Sequence, residues 1–270
     1  MTKNNFAKTH PQKERTHLYE EYALVADVPS IKKQWELQAI EIININPKNI
    51  LAIGIGFGDE INYLIEELKR KYASKDSLGK LESIEWIDLD DKYAGKRLKD
   101  FSSFVKVERI KPDNLLDIVD EKRWDCILCS FVLHDIKYED KKQAIAILRK
   151  ALKPKGIFIV SEMFLDNKVK SDYIKDLERK RKIDTLYGNF YKEVQNEINN
   201  MAIGKKKILN ELLKIKEEAR DGKRDYFLTK QQTIDLLRAY NFVVDVNEGK
   251  YYIENETNPY LGIIIGRMQK

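Results

Sequence analysis

Short apolar runs alternate with amphipathic stretches through most of the chain. The runs at 49–54, 82–88, 104–110, 124–130 and 156–162 are predicted as strands, and 59–73, 91–100 and 139–152 between them as helices. Pro154 and Gly156 are good stop signals for the last of these helices. Ile31 to Ile43 is predicted as a helix ahead of the first strand, with Ile31, Trp35, Leu37 and Ile40 on an imperfect apolar face. Strands and helices that alternate with short connections predict βαβ units and a parallel sheet.

After Glu162 the rhythm breaks. Residues 166–224 carry almost no strand signal, and helices are predicted at 170–184, 190–201 and 205–220, separated near Gly188 and Gly204. The alternation then resumes: Thr229 is placed to cap a helix over 230–240, and 242–246 and 261–265 are apolar strand runs. The expected organisation is an arm and helix covering the site at 1–48, a core made of 49–165 and 226–270, and a helical lid insertion at 166–225. At 270 residues the chain can bury one large α/β core, or a core plus a small appended subdomain.

Charge sharpens this division. The net charge is +5, and residues 166–224 hold 16 Lys/Arg against 11 Asp/Glu, while the rest of the chain holds 33 of each sign. The excess therefore sits wholly in the insertion. Its runs Arg179–Lys182 and Lys205–Lys207 suit phosphate contact, but Glu178, Asp184, Glu211, Glu217 and Glu218 dilute them, so a small-molecule partner is favoured over nucleic acid. No apolar run approaches the ~20 residues of a membrane span, and the first residues lack the apolar core of a secretory signal. Cys126 and Cys129 share one predicted strand and read as buried thiols rather than metal ligands. A cytoplasmic protein, monomeric or homodimeric, is expected.

The chemistry concentrates at the ends of the predicted strands. Gly54, Gly56 and Gly58 form a turn between the first strand and the first following helix, where backbone can approach a ligand closely. A dinucleotide fingerprint needs a glycine at position 59, which holds Asp59, followed by Glu60. Two carboxylates at a helix N-terminus disfavour a pyrophosphate there. A nucleoside without phosphate is favoured, and S-adenosylmethionine is the obvious one. Asp88, with Asp90 behind it, ends the second strand and suits ribose hydroxyls. Asp113 or Asn114 after the third suits an adenine amino group. The ordinary reading of these acids is helix capping.

Ser130, Val132, Leu133 and His134 follow the fourth strand, and Glu162 ends the fifth. A neutral imidazole at His134 could accept a proton from a hydroxyl or amine, with Glu162 orienting it; the alternative is a histidine that only ties down its loop. Tyr22 in the arm and Tyr187 and Tyr191 in the insertion are candidate substrate contacts, within an aromatic lid that also includes Tyr173 and Phe190.

Together these elements resemble the class I S-adenosylmethionine-dependent methyltransferases, across 45–165 and 226–270, roughly 60% of the chain. The matching pieces are Ile50–Gly58, Asp88, Trp124–Ser130 with Val132-Leu133-His134, and Leu152–Gly156. The resemblance implies a Rossmann-like sheet of seven mostly parallel strands with helices on both faces, its last strand antiparallel and inserted, as 261–267, between the fifth and sixth. It also implies S-adenosyl-L-methionine as cofactor. One departure is Ala52, where the family usually has an acid that helps hold the cofactor amine; histamine-type N-methyltransferases also have a small residue there. Leu133-His134-Asp135 with Glu162 resembles plant-type small-molecule O-methyltransferases, which carry a large N-terminal dimerisation domain that is not expected here. Ser161–Phe164 resembles more weakly the synthase of carboxy-S-adenosylmethionine. The expected function is methyl transfer to a hydroxyl or amine of a small molecule. The alternatives are an RNA-modifying or carboxy-S-adenosylmethionine-type enzyme, or a non-catalytic nucleoside-binding relative motivated by Ala52.

Overall fold

A computed structural model of the chain describes residues 28–72, 79–88, 94–110, 123–165, 176–199, 205–223, 226–244 and 261–268. In chain order the elements are α1 (Pro29–Ile45), β1 (Asn49–Ile53), α2 (Asp59–Tyr72), β2 (Ser83–Ile87), β3 (Lys106–Arg109), β4 (Trp124–Ser130), α3 (Tyr138–Ala151) and β5 (Leu152–Met163). They continue with α4 (Asp176–Asn199), α5 (Lys205–Arg220), α6 (Lys230–Ala239), β6 (Phe242–Val244) and β7 (Leu261–Met268). The sheet has seven strands in the order β3-β2-β1-β4-β5-β7-β6. The first five are mutually parallel, and β7 runs antiparallel to both β5 and β6. The expected Rossmann-like architecture, with its last strand between the fifth and sixth, is therefore found.

Two apolar layers hold the sheet between helices. On one face α2 contributes Ile61, Leu64, Ile65 and Leu68, spaced as one helical stripe, against Ile50, Ala52, Ile84 and Cys126. On the other, Ile145, Leu148 and Ala151 of α3 and Ile234 and Leu237 of α6 cover Leu51, Ile127, Phe158 and Val160. Each large side chain so buried stabilises the fold by roughly 1.5–3 kcal/mol. Central strands buried on both faces explain why their sequences read as continuous apolar runs. Thr229 caps α6 as expected: its hydroxyl accepts from the Gln232 amide while the Gln232 side chain accepts from the Thr229 amide. Cys126 and Cys129 are free and buried, and burial pushes the Cys126 thiol up to about 12.

Four expectations change. First, the described part of 91–100 is not helical. Gly95 adopts φ 72°, and residues 94–97 turn so that the Gly95 and Arg97 amides donate to the Gly56 and Phe57 carbonyls. The local left-handed glycine stops a helix and folds this segment onto the glycine turn. Second, α4 is one helix through Gly188 rather than two, because an isolated glycine weakens a helix by only about 1 kcal/mol. Third, β5 begins at Leu152, paired with Trp124 across a register shift, so Pro154 lies inside the strand span. Fourth, α1 buries its apolar face only in part: Ile31, Ala39 and Ile42 are buried, but a polar stripe shares the inward side. Ile40 is 45% exposed, while Ser30, Gln34 and Gln38 are buried. The polar stripe faces inward because it meets polar backbone and side chains at the sheet's carboxyl ends.

The helices of the insertion sit at those same ends. Ile183, Leu186 and Tyr187 of α4 and Ile215 and Ala219 of α5 pack with Met163, Leu165 and Leu261 beside the β5 terminus. Phe190, Val194 and Leu212 pack with Val28 and Ile31 at the start of α1. Phe131, just past β4, touches both clusters with φ 54°. A non-glycine residue in that region stores on the order of 1–3 kcal/mol of strain, held here by its amide donating to the Ser161 carbonyl.

Candidate functional site

The sheet order reverses between β1 and β4, and in open α/β sheets ligands bind outside the carboxyl ends of strands at such a point. The glycine turn stands at this place. Gly54, Gly56 and Gly58 have φ of 75°, 51° and 94°, values that L side chains rarely adopt. A Cβ on Gly54 would lie 2.1 Å from Val132 Cγ2 and 3.0 Å from the Ser130 carbonyl oxygen. The absence of side chains there keeps the ends of β1 and β4 in close register. Asp88, one residue past β2, accepts a 2.9 Å hydrogen bond from the Gly56 amide. Its carboxylate is thereby fixed at the rim of the turn.

Asp59 and Glu60, the first two residues of α2, part ways. Asp59 points outward to Arg97, 3.3 Å from Nη1. Glu60 turns inward and is 7% exposed. Its Oε1 accepts from the Ser130 hydroxyl at 2.6 Å, and that hydroxyl accepts from Gln38 Nε2 at 3.1 Å. Burial raises the Glu60 carboxyl to about 7, with the hydrogen bonds from Ser130 and Gln38 pulling the other way. Gln34, one turn earlier on α1, donates to the Glu162 and Gly262 carbonyls. The Oε1 atoms of both glutamines are buried without a hydrogen-bond partner, as are Ser161 Oγ and Glu193 Oε1. Ser30 donates to the other oxygen of Glu193, joining α1 to α4. Unpartnered buried acceptors are rare in native structures and each calls for an explanation.

His134 lies in a 3₁₀ turn, Leu133–Asp135, directly after β4. Its Nδ1 is 2.7 Å from Glu162 Oε1, and its amide donates to Glu162 Oε2 at 3.1 Å. The Met163 amide also donates to Oε1. Glu162 is thus oriented by two backbone amides and holds the imidazole with Nδ1–H as donor, leaving Nε2 as the basic nitrogen. From the far side, Lys141 of α3 donates to the Leu133 and Ile136 carbonyls, clamping the turn. Burial lowers the Lys141 ammonium to about 8, with the Glu162 and Asp135 carboxylates opposing. Phe227 covers the ring, centroids 5.2 Å apart, and Tyr187 meets Phe227 edge-on at 6.0 Å.

The structure therefore brings together Gly54, Gly56, Gly58, Asp88 and Ser130 at one end of the crest, and His134 and Glu162 at the neighbouring strand ends. Tyr187 joins the His134 side through Phe227, whereas Tyr191 packs in the separate cluster around Val28. Tyr22, Asp90, Asp113, Asn114 and Tyr173 lie outside the described residues. The sequence reading missed Gln34, Gln38, Lys141, Phe227 and Glu193, and assigned Glu60 only an effect on phosphate. A signal for α1 existed: Ser30, Gln34 and Gln38 recur every four residues, a polar stripe as regular as the apolar one. Among the described residues no cluster of His, Cys, Asp or Glu could hold a metal ion, and no helix is long and apolar enough to cross a membrane.

No protein-family model matches the chain, and no curated protein matches it. Solved structures do. The chain is similar to 1,6-didemethyltoxoflavin-N1-methyltransferase of Burkholderia thailandensis, crystallised with 1,6-didemethyltoxoflavin and S-adenosylhomocysteine, at 13% identity and TM-score 0.56, covering 96% of this chain and 87% of that one. Human N-acetylserotonin methyltransferase, crystallised with SAM, overlaps at 16% identity and TM-score 0.53 over 96% of this chain, which spans only 57% of its length. SCL7 of Oryza sativa overlaps at 13% identity and TM-score 0.67, covering 97% and 87%. These likenesses establish the fold of the class I methyltransferases, and the chemistry has to come from the residues of this chain.

Proposed function

We propose that this chain is an S-adenosyl-L-methionine-dependent methyltransferase that transfers a methyl group to a hydroxyl or amine of a small molecule. The observation that carries the reading is the His134–Glu162 pair, set beside the glycine turn at the crest of a class I methyltransferase sheet. The residues present fit the cofactor. Gly56 leaves open space, with nothing within 4 Å of where a Cβ would stand, Asp88 offers a carboxylate for ribose hydroxyls, and buried acceptors line the crest. Asp113 and Asn114 are proposed for the adenine. When bound, the cofactor supplies an electrophilic methyl on a sulfonium.

The chain's own residues do the rest. Glu162 holds His134 in one tautomer, and Nε2 takes the proton from a hydroxyl acceptor as the methyl arrives. Lys141 positions the turn that carries His134. Phe227 and Tyr187, both buried, keep water from the imidazole. Alignment of two held reactants can supply effective molarities on the order of 10⁵ M or more. A small molecule is favoured over nucleic acid because Lys216 and Arg220 of α5 lie within 3.4 and 3.6 Å of Asp184, so part of the insertion's positive charge is neutralised within it. The competing reading is a nucleoside-binding relative without turnover, motivated by Ala52, whose buried methyl leaves no acid at that position.

Incubation with radiolabelled S-adenosylmethionine and fractionated metabolite and RNA pools tests the proposal. Label entering a small-molecule fraction is expected. Label entering only the RNA fraction would shift the substrate class, and tight cofactor binding with no labelled fraction would favour the non-catalytic relative.

A further inference from the structure

Glu60 is a carboxylate that the proposed chemistry leaves without a task. It stands in the first turn of α2, yet faces inward onto the end of β4 rather than out to solvent. Two neighbours fix it there: the Ser130 hydroxyl from β4 and, through Ser130, the Gln38 amide from α1. Gln38 is 2% exposed, and its Oε1, on the amide that donates to Ser130, has no hydrogen-bond partner. The Glu60 carboxyl and the Gln38 amide thus meet at the Ser130 hydroxyl, on the residue whose carbonyl lies against Gly54, with the Ser130 proton and a Gln38 N–H already used. Such a set lacks a partner that brings N–H groups and positive charge, which describes an ammonium. Ala52, on the adjoining strand, offers only a methyl packed in the core.

We propose that Glu60, aligned by Ser130 and Gln38, holds the ammonium of the cofactor's amino-acid tail. This rests on the cofactor reading above. Without the ligand the carboxyl is held protonated near neutrality by burial. An ammonium at hydrogen-bond distance favours the ionised form, so binding expels a proton from Glu60 at pH below about 7, and affinity rises with pH. The other titratable groups around Glu60 do not mimic this. Asp59 is engaged by Arg97, Cys129 on β4 is pushed up by burial, and Tyr63 on α2 is raised above its ordinary value.

Calorimetry tests the inference with two ligands: S-adenosylhomocysteine, and methylthioadenosine, which keeps the nucleoside and sulfur but lacks the amino-acid tail. Wild type and Glu60→Gln are titrated with each, in buffers of different ionisation enthalpy, at about pH 6 and about pH 8. Glu60→Gln is expected to bind S-adenosylhomocysteine about tenfold to a hundredfold more weakly and methylthioadenosine as wild type does. Wild type is expected to release protons on binding S-adenosylhomocysteine at the lower pH and none on binding methylthioadenosine. Equal affinities in both proteins, or equal weakening toward both ligands, would overturn the inference and leave the cofactor reading standing. No heat from either ligand with folded wild type would overturn both. Should Glu60→Gln fail to fold, proton release that is the same for the two ligands in wild type is the overturning result.

Discussion

The glycine-turn side of the crest and its helical cover are built on opposite rules. Around the turn, backbone makes the site: three glycines with positive φ, a carboxylate held by an amide, and a fold-back segment bonded to the turn's own carbonyls. In the cover, side chains make it: a buried polar stripe on α1, Glu193 on α4, and aromatic rings from the insertion. Backbone-built sites tolerate little change, because all three glycines have left-handed φ and a Cβ on Gly54 would collide with Val132. Side-chain-built surfaces can be rewritten position by position. A backbone-built crest under an adaptable cover matches how one fold serves many substrates.

The sharpest way to break this contrast is Gly54→Val. Its side chain would meet Val132 and Ser130 at the distances given above and would require a left-handed conformation. Strain and overpacking together should destabilise the fold by about 2–4 kcal/mol and abolish S-adenosylhomocysteine binding, read by thermal denaturation and calorimetry. Normal binding would mean that the turn is not where the ligand sits. Next comes His134→Ala, which should lower turnover by roughly 10²–10⁴-fold while leaving cofactor affinity intact. Full turnover with normal binding would remove the base role and leave His134 a structural anchor for its turn.

The smallest expected effects separate the two regions by pH. The Glu60 carboxyl moves from 4.5 to about 7 on folding, so the folded state binds more protons between those values and stability falls as pH rises through them. The Lys141 ammonium moves from 10.5 to about 8, so the unfolded state binds more protons in that window and stability rises as pH climbs from about 8. Urea denaturation across pH should show a dip near neutrality, with the acid limb flattened in Glu60→Gln and the alkaline limb flattened in Lys141→Met. Unchanged limbs would mean that neither group is as desolvated as its burial implies.

The same contrast explains what the sequence could tell. Strand runs and the glycine turn were legible because apolar period and glycine spacing encode them locally, whereas the sheet order followed from the resemblance to the class I methyltransferases. The His134–Glu162 pair was legible too, since both residues end neighbouring strands and strand ends converge by topology. The fold-back at Gly95 was not, because a few polar residues after a strand read equally as a capped helix. The polar stripe of α1 was hidden for a different reason. Amphipathic reasoning assigns the apolar face to the core, and here the inward partners are buried strand-end carbonyls and the Ser130 hydroxyl, so Gln34 and Gln38 go inward and Ile40 outward. Inward polar residues of this kind mark a site rather than a packing surface.

The most direct measurement is calorimetric titration of the wild-type protein with S-adenosylhomocysteine, repeated on Gly54→Val. Saturable binding with one ligand per chain, lost in the variant, is the expected result. A folded wild-type protein that gives no heat with S-adenosylhomocysteine or S-adenosylmethionine would contradict it.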